Sequence, residues 1–252
     1  MKQIERFRIL VMGRANAGKT TILQRVCNSS ENPEIFDRNG NKIDGTVVQG
    51  TLTRGYHHIE HELIFQSNTG FVFHDSCGFE AGATKEFDQM KDFVVDHATT
   101  TRSKATDKYR FCIPMTDYHR TVTAAEQKFF NECDTGHVPV IVLLTKVDAL
   151  YLTAVRGFLD QGLAIAEAKE RAAEKQGELL EKWLDHVKHE LHKCNFPPQG
   201  YVSLQKMHKE SADCSALMQY TANVLNEEGL QRLLISTQQS SIALCVQYAV
   251  HK

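Results

Sequence analysis

The chain has 252 residues, 42% of them hydrophobic, enough for one large core or two modest ones. Charged residues make up 24% and the formal net charge is −2 at pH 7, so bulk electrostatics give no reason to expect nucleic acid or an anionic membrane as partner. Seven cysteines, at 27, 77, 112, 133, 194, 214 and 245, form no CxxC pair, which argues for reduced thiols and against a disulfide scaffold or a zinc site. There is no apolar run of about 18 residues. The start, MKQIERFRIL, has neither a signal-peptide core nor a glycine at position 2, and the end, YAVHK, has no prenylation signal. The expectation is a cytoplasmic chain with no membrane anchor.

In chain order, FRILVM is a short apolar run consistent with a buried parallel strand. It runs into GRANAGKT, Gly13 to Thr20, which fits G-x-x-x-x-G-K-[ST] at every fixed position. TTILQRVC follows with helical spacing of Ile22, Leu23 and Val26. This strand, loop and helix form the context a P-loop requires. Gly13 and Gly18 let the backbone curl around a phosphate with its N–H groups inward, at the positive end of a helix. Lys19 supplies positive charge to the β- and γ-phosphates, and the Thr20 hydroxyl suits Mg²⁺. The candidate nucleotide-binding set here is Gly13, Arg14, Ala15, Asn16, Ala17, Gly18, Lys19, Thr20 and Thr21.

Glu31 to Gly50 is rich in Asn, Asp and Gly, consistent with a loop that orders on nucleotide binding. His57, His58 and His61 lie on or beside a predicted strand and read as surface residues. FVFHD is an apolar strand ending in Asp75-Ser76-Cys77-Gly78. FCIPMT, Phe111 to Thr116, reads as a further strand, and AAEQKFFNEC as a helix. VPVIVLLTKVDAL is an apolar, β-branched run ending in Thr145-Lys146-Val147-Asp148.

Ala154 to Lys193 is rich in strong helix formers, with an apolar stripe of Leu180, Leu184, Val187 and Leu191 beside Trp183, and Pro197-Pro198 ends it. It reads as an elongated helix or helical pair packed on the flank, or as an arm for a protein partner or self-association. GYVSLQ, Gly200 to Gln205, is a plausible last strand, and Gly229 to Ala249 a closing amphipathic helix.

TKVD resembles the [NT]-K-x-D motif of GTPases. A carboxylate at Asp148 can accept from guanine N1–H and the 2-amino group, donors that adenine lacks there. The stem of Lys146 can lie over the base. DSCG resembles the DxxG motif of the same proteins, and the three motifs occur in their order, each after a predicted strand. The chain resembles the translation-factor-related class of P-loop GTPases, nearer to Era-like and AIG1-like G domains than to Ras. In phrasing, HDSCGFEAG and FCIPMTDYHRTVTAAEQKFF also look like uncharacterised G-domain proteins of mushroom-forming fungi.

The resemblance implies an α/β, three-layer P-loop NTPase fold with a mostly parallel central sheet. One G domain would span 1–252, with a helical insertion at about 152–195. Asp75 would hold Mg²⁺ through water, and the Gly78 amide would sense the γ-phosphate. Thr53, 22 residues ahead of Asp75 and followed by arginine, would reach the metal, with Thr51 and Thr46 as alternatives. Backbone N–H groups after the last strand would close over the base, either at Gln205-Lys206-Met207 or at Thr221-Ala222.

Two departures from Ras matter. Phe79 stands where glutamine orients the attacking water, which implies slow hydrolysis, with Glu80 or the backbone as substitutes. Asn16 stands where Era-like proteins ligate K⁺. The implied activity is Mg²⁺-dependent hydrolysis of GTP to GDP as a nucleotide-state switch, with Lys19, Thr53 and Gly78 as its catalytic set. The alternative is a GTP-binding interaction module that does not hydrolyse.

Overall fold

The computed structural model describes residues 6–43, 58–76, 84–99, 107–120, 122–136, 138–212 and 214–224. The strands are β1 (Phe7–Gly13), β2 (Glu34–Phe36), β3 (Lys42–Ile43), β4 (Glu62–Phe65), β5 (Asn68–Asp75), β6 (Asp107–Pro114), β7 (Val140–Thr145) and β8 (Gly200–Ser203). They form one sheet in the order β3-β2-β4-β5-β1-β6-β7-β8. From β5 to β8 every neighbouring pair is parallel, while β4, β2 and β3 add on antiparallel. The helices are α1 (Lys19–Val26), α2 (Thr84–Thr99), α3 (Ala124–Glu132), α4 (Ala149–Asp160), α5 (Ile165–Leu191) and α6 (Ser215–Val224).

The central strands are apolar along their length because both faces are covered. Ile9, Val11, Cys112, Ile141 and Leu143 face one way, against Ile22, Leu23 and Val26 of α1 and Leu217, Met218 and Ala222 of α6. Leu10, Met12, Phe111, Ile113, Val142 and Leu144 face the other, against Phe87, Met90 and Val94 of α2, Phe129 and Phe130 of α3, and Val187 and Leu191 of α5. Successive residues thus serve opposite layers, as the two-residue period of a strand requires. The result is a three-layer α/β fold with a mostly parallel sheet, as expected. Phe111, Phe129 and Phe130 pack with ring centroids 5.0–5.3 Å apart. Each contributes about 1.5–3 kcal/mol by leaving water.

From β1 the chain leaves through α1 for the β5 side, then returns through α2 to β6 on the other side of β1. The carboxyl end of β1 is therefore the point where strand order reverses, the usual crevice of an open α/β sheet.

Three expectations need correction, and one helix is missing from them. Part of the presumed loop Glu31–Gly50 is a hairpin, with β2 and β3 joined by a turn in which Asp37 Oδ1 accepts from the N–H groups of Asn39 and Asn41, each at 2.8 Å. The strand placed at Phe111–Thr116 starts earlier and ends at Pro114, and a 3₁₀ turn, Met115–Arg120, follows. The inserted helices begin at Ala149, and Gly162 at φ 87 separates α4 from α5. Helix α2 is absent from the expectations, although Phe87, Met90, Phe93 and Val94 recur on one face.

The 27 residues of α5 span roughly 40 Å. Its C-terminal half carries the predicted stripe into the core, with Leu180, Trp183 and Leu184 half-buried. Its N-terminal half buries Ala168 and Ala172 instead, and small side chains there let α4 approach closely. No helix of the described residues is long and apolar enough to cross a membrane. The five described cysteines are unbridged and buried.

Candidate functional site

The loop after β1 has the backbone its sequence predicts. Gly13 sits at φ 129, and a Cβ there would stand 2.2 Å from the Cys112 carbonyl oxygen of β6. Asn16 at φ 56 and Gly18 at φ 85 take left-handed conformations that asparagine and glycine tolerate best. Ala17 is buried, whereas Ala15, Asn16 and Thr20 are exposed and Thr21 half-buried. Lys19 is 8% exposed, and its ammonium donates to the carbonyls of Gly13 at 3.3 Å and Arg14 at 3.0 Å. That curls the loop over the first turn of α1, whose N–H groups have no partner within the helix.

Arg14 belongs to this loop by its backbone alone. Its guanidinium turns away to the Glu126 carboxylate on α3, Nε at 2.8 Å and Nη2 at 2.9 Å, and Nη2 also donates to the Arg120 carbonyl.

Asp75 closes β5 one strand away, in register with Val11, and the Ser76 N–H donates to the Val11 carbonyl at 3.0 Å. Asp75 is buried, 4% exposed. Burial pushes the thiol of Cys112 up to about 12, and it senses Lys19, which lowers it, and Asp75, which raises it. By register, Asp75 and Cys112 lie beside Val11 and Gly13 at the carboxyl ends of β5, β6 and β1. Asp75 and the Thr20 hydroxyl are hard oxygen donors of the kind Mg²⁺ takes, so the donor chemistry fits that ion. Thr46, Thr51, Thr53, Gly78, Phe79 and Glu80 lie outside the described residues, as does the helix expected at Gly229–Ala249.

The second half of the site hangs on β7. The Thr145 hydroxyl donates to the Ala17 carbonyl at 2.7 Å, tying the TKVD strand end to the glycine-rich loop. Lys146 turns the chain at φ 55, and the Val147 N–H donates to the Leu204 carbonyl at 3.2 Å. Asp148 Oδ1 accepts from the Lys206 N–H at 2.7 Å. The segment Gln205-Lys206-Met207, the first of the two alternatives, therefore lies against Asp148. Thr221-Ala222, the other, lies inside α6. The Thr221 hydroxyl is 2% exposed, donates to the Leu217 carbonyl at 2.7 Å and accepts from the buried Arg110 at 2.6 Å.

Three supporting residues escape a sequence reading. Arg25 Nε donates to the Met207 carbonyl at 3.0 Å, so α1 carries the loop beside Asp148 as well as Lys19. Gln176 of α5 donates to the Val147 carbonyl at 3.2 Å. Glu126 holds Arg14. Of these Glu126 alone leaves a local signal, the Thr123-x-x-Glu126 capping box at the start of α3.

No protein-family model and no curated protein matches the chain. Among solved structures it is similar to a GDP-bound mutant of the S. thermophilus FeoB G-domain, at 15% identity and TM-score 0.34, covering 57% of this chain and 45% of that one. A probable GTP-binding protein engB gives 16% identity and TM-score 0.42, covering 88% and 99%. A GTP-binding protein from Sulfolobus solfataricus in complex with GDP gives 13% identity and TM-score 0.47, covering 86% of this chain and 52% of that one. The chain thus spans about half the length of the first and third of these proteins.

Proposed function

We propose that the chain is one G domain that binds a guanine nucleotide between the loop Gly13–Thr20 and Asp148, and hydrolyses GTP to GDP slowly as a switch. The observation that carries this reading is the 2.7 Å hydrogen bond from the Thr145 hydroxyl to the Ala17 carbonyl. It joins a phosphate-type loop to a carboxylate-bearing loop in one rigid site at the carboxyl end of the sheet. Thr20 and Thr53, with Asp75 through water, would hold Mg²⁺, which would supply positive charge at the β- and γ-phosphates. Lys19 exchanges its two carbonyl partners for phosphate oxygens, and the loop amides give fixed donors where negative charge develops. Gly78 would sense the γ-phosphate, and Phe79 leaves the attacking water without a side-chain hydrogen bond. Asp148 reads the donor edge of guanine, Lys146 covers the ring, and Gln205-Lys206-Met207, fastened by Arg25, closes beside it.

Calorimetry of the full chain with Mg²⁺ tests this. GTP and GDP should bind at least about 100-fold more tightly than ATP, since adenine lacks the two donors that guanine offers the Asp148 carboxylate. Equal uptake of ATP and GTP, or of neither, overturns the reading.

Asn16 carries a finer proposal, a K⁺ ligand beside the phosphates. Because its φ of 56 itself accounts for asparagine, the informative variant is Asn16→Gly, which keeps the backbone accessible and removes the side-chain oxygen. GTP turnover should be several-fold faster in K⁺ than in Na⁺ at matched ionic strength, on the order of 1 kcal/mol in barrier, and Asn16→Gly should erase the difference. Equal parental rates in the two salts dispose of the ion.

A second reading draws on the surface of the helical insertion. Leu152 is 70% exposed on α4 and Ile165 61% exposed on α5, which suits a contact with another protein or a second copy. In that reading the chain binds GTP as an assembly module and single-turnover hydrolysis is absent at every protein concentration.

A further inference from the structure

Arg14 and Glu126 stand 112 residues apart in sequence and meet where water scarcely reaches, with Arg14 8% and Glu126 1% exposed. The glutamate accepts three hydrogen bonds, from Arg14 Nε at 2.8 Å, Arg14 Nη2 at 2.9 Å and the Thr123 N–H at 2.6 Å. The same guanidinium reaches the Arg120 carbonyl, so one side chain fastens the loop after β1 to the 3₁₀ turn after β6 and to the first turn of α3. A buried ion pair is weak ground for stability, because a well-packed apolar pair of equal volume often does as well. What a bidentate fork adds is fixed geometry.

That geometry bears on the site through the backbone of Arg14. Its carbonyl accepts from the Lys19 ammonium at 3.0 Å and from the Ala17 N–H at 3.3 Å. Whatever holds Arg14 in place thereby holds both the resting position of the ammonium and the curl of the loop. We propose that Arg14 and Glu126 are a positioning pair that sets the affinity of the loop for the phosphates of the nucleotide, with neither side chain touching the ligand. A loop held in its binding shape loses little freedom on binding, and one released from Glu126 must be ordered by the ligand. The inference rests on the nucleotide reading above and deepens it.

The test is titration calorimetry of the full chain with Mg²⁺ and two ligands, GDP and inosine 5′-diphosphate, which carry the same phosphates and differ at the 2-amino group. For Glu126→Gln the dissociation constants of both should rise about tenfold, by the same factor, with the number of sites per chain unchanged. Arg14→Lys, which keeps the charge and loses the fork, should show roughly a threefold rise for both ligands and remains informative if the glutamine variant does not fold. Dissociation constants within twofold of the parent overturn the proposal. A reduced number of sites at the parental constant also overturns it, since the pair would then serve folding alone. Unequal factors for the two ligands do so as well, since the pair would then act at the base. A parent chain that takes up neither diphosphate overturns the nucleotide reading, and the pair with it.

Discussion

Asp148→Asn should turn a guanine site into a xanthine site. The carboxylate offers two acceptors to the N1–H and 2-amino donors of guanine. An amide offers one acceptor and one donor, which suits the N1–H and 2-oxo groups of xanthine. The variant is informative because of what it preserves. Asp148 Oδ1 also accepts from the Lys206 N–H at 2.7 Å, and the amide oxygen of asparagine can keep that bond, so the neighbouring loop stays in place. GTP affinity should fall roughly 10²- to 10³-fold, because a mismatched donor faces a donor in a partly buried site. Xanthosine triphosphate should then outcompete GTP. Competition binding with both nucleotides on parent and variant measures this, and a variant that still prefers GTP places guanine recognition elsewhere.

The second large effect belongs to Gly13→Ala. Two costs coincide at this position. The φ of 129 is closed to alanine, and the added methyl would meet the Cys112 carbonyl at 2.2 Å. That oxygen is backbone in β6, a central strand paired on both sides, so it cannot step aside. A loss of about 3–5 kcal/mol is expected. In a chain of this size that lowers the thermal midpoint by roughly 10 °C. Gly18→Ala provides the contrast. Its φ is 85, yet nothing lies within 4 Å of the added methyl, so only the backbone strain of about 1–2 kcal/mol applies. Equal thermal shifts for the two variants would mean that the contact with β6 carries no weight.

Local grammar made the centre of the fold legible in the sequence. FRILVM and VPVIVLLT are apolar without alternation, which is what a strand covered on both faces looks like, and both occupy the middle of the sheet. GRANAGKT predicted a backbone that curls at Gly13 and Gly18, and both do take positive φ, as does Asn16. The sequence left Gln205-Lys206-Met207 and Thr221-Ala222 as alternatives, and only the packing of α6 buries Thr221 while the Lys206 N–H meets Asp148.

What stayed illegible depends on partners far away in the chain. The edge hairpin at Glu34–Ile43 is too short to show a period, and its stability comes from pairing with β4. Arg14 looked like part of the cradle because its neighbours are. Its side chain is claimed by a glutamate 112 residues on, which no local pattern announces. Arg25 and Gln176 are ordinary helix-surface residues by type, and only the tertiary arrangement brings them to the carbonyls of Met207 and Val147.

A hydroxyl has a single hydrogen to give, and Thr145 spends it on Ala17. Toward anything else it can only receive. In a nucleotide held as proposed, the carbonyl oxygen and ring nitrogen on the acceptor side of guanine would obtain no proton from this residue. Chemical changes on the imidazole side of the purine should therefore pass unnoticed by Thr145.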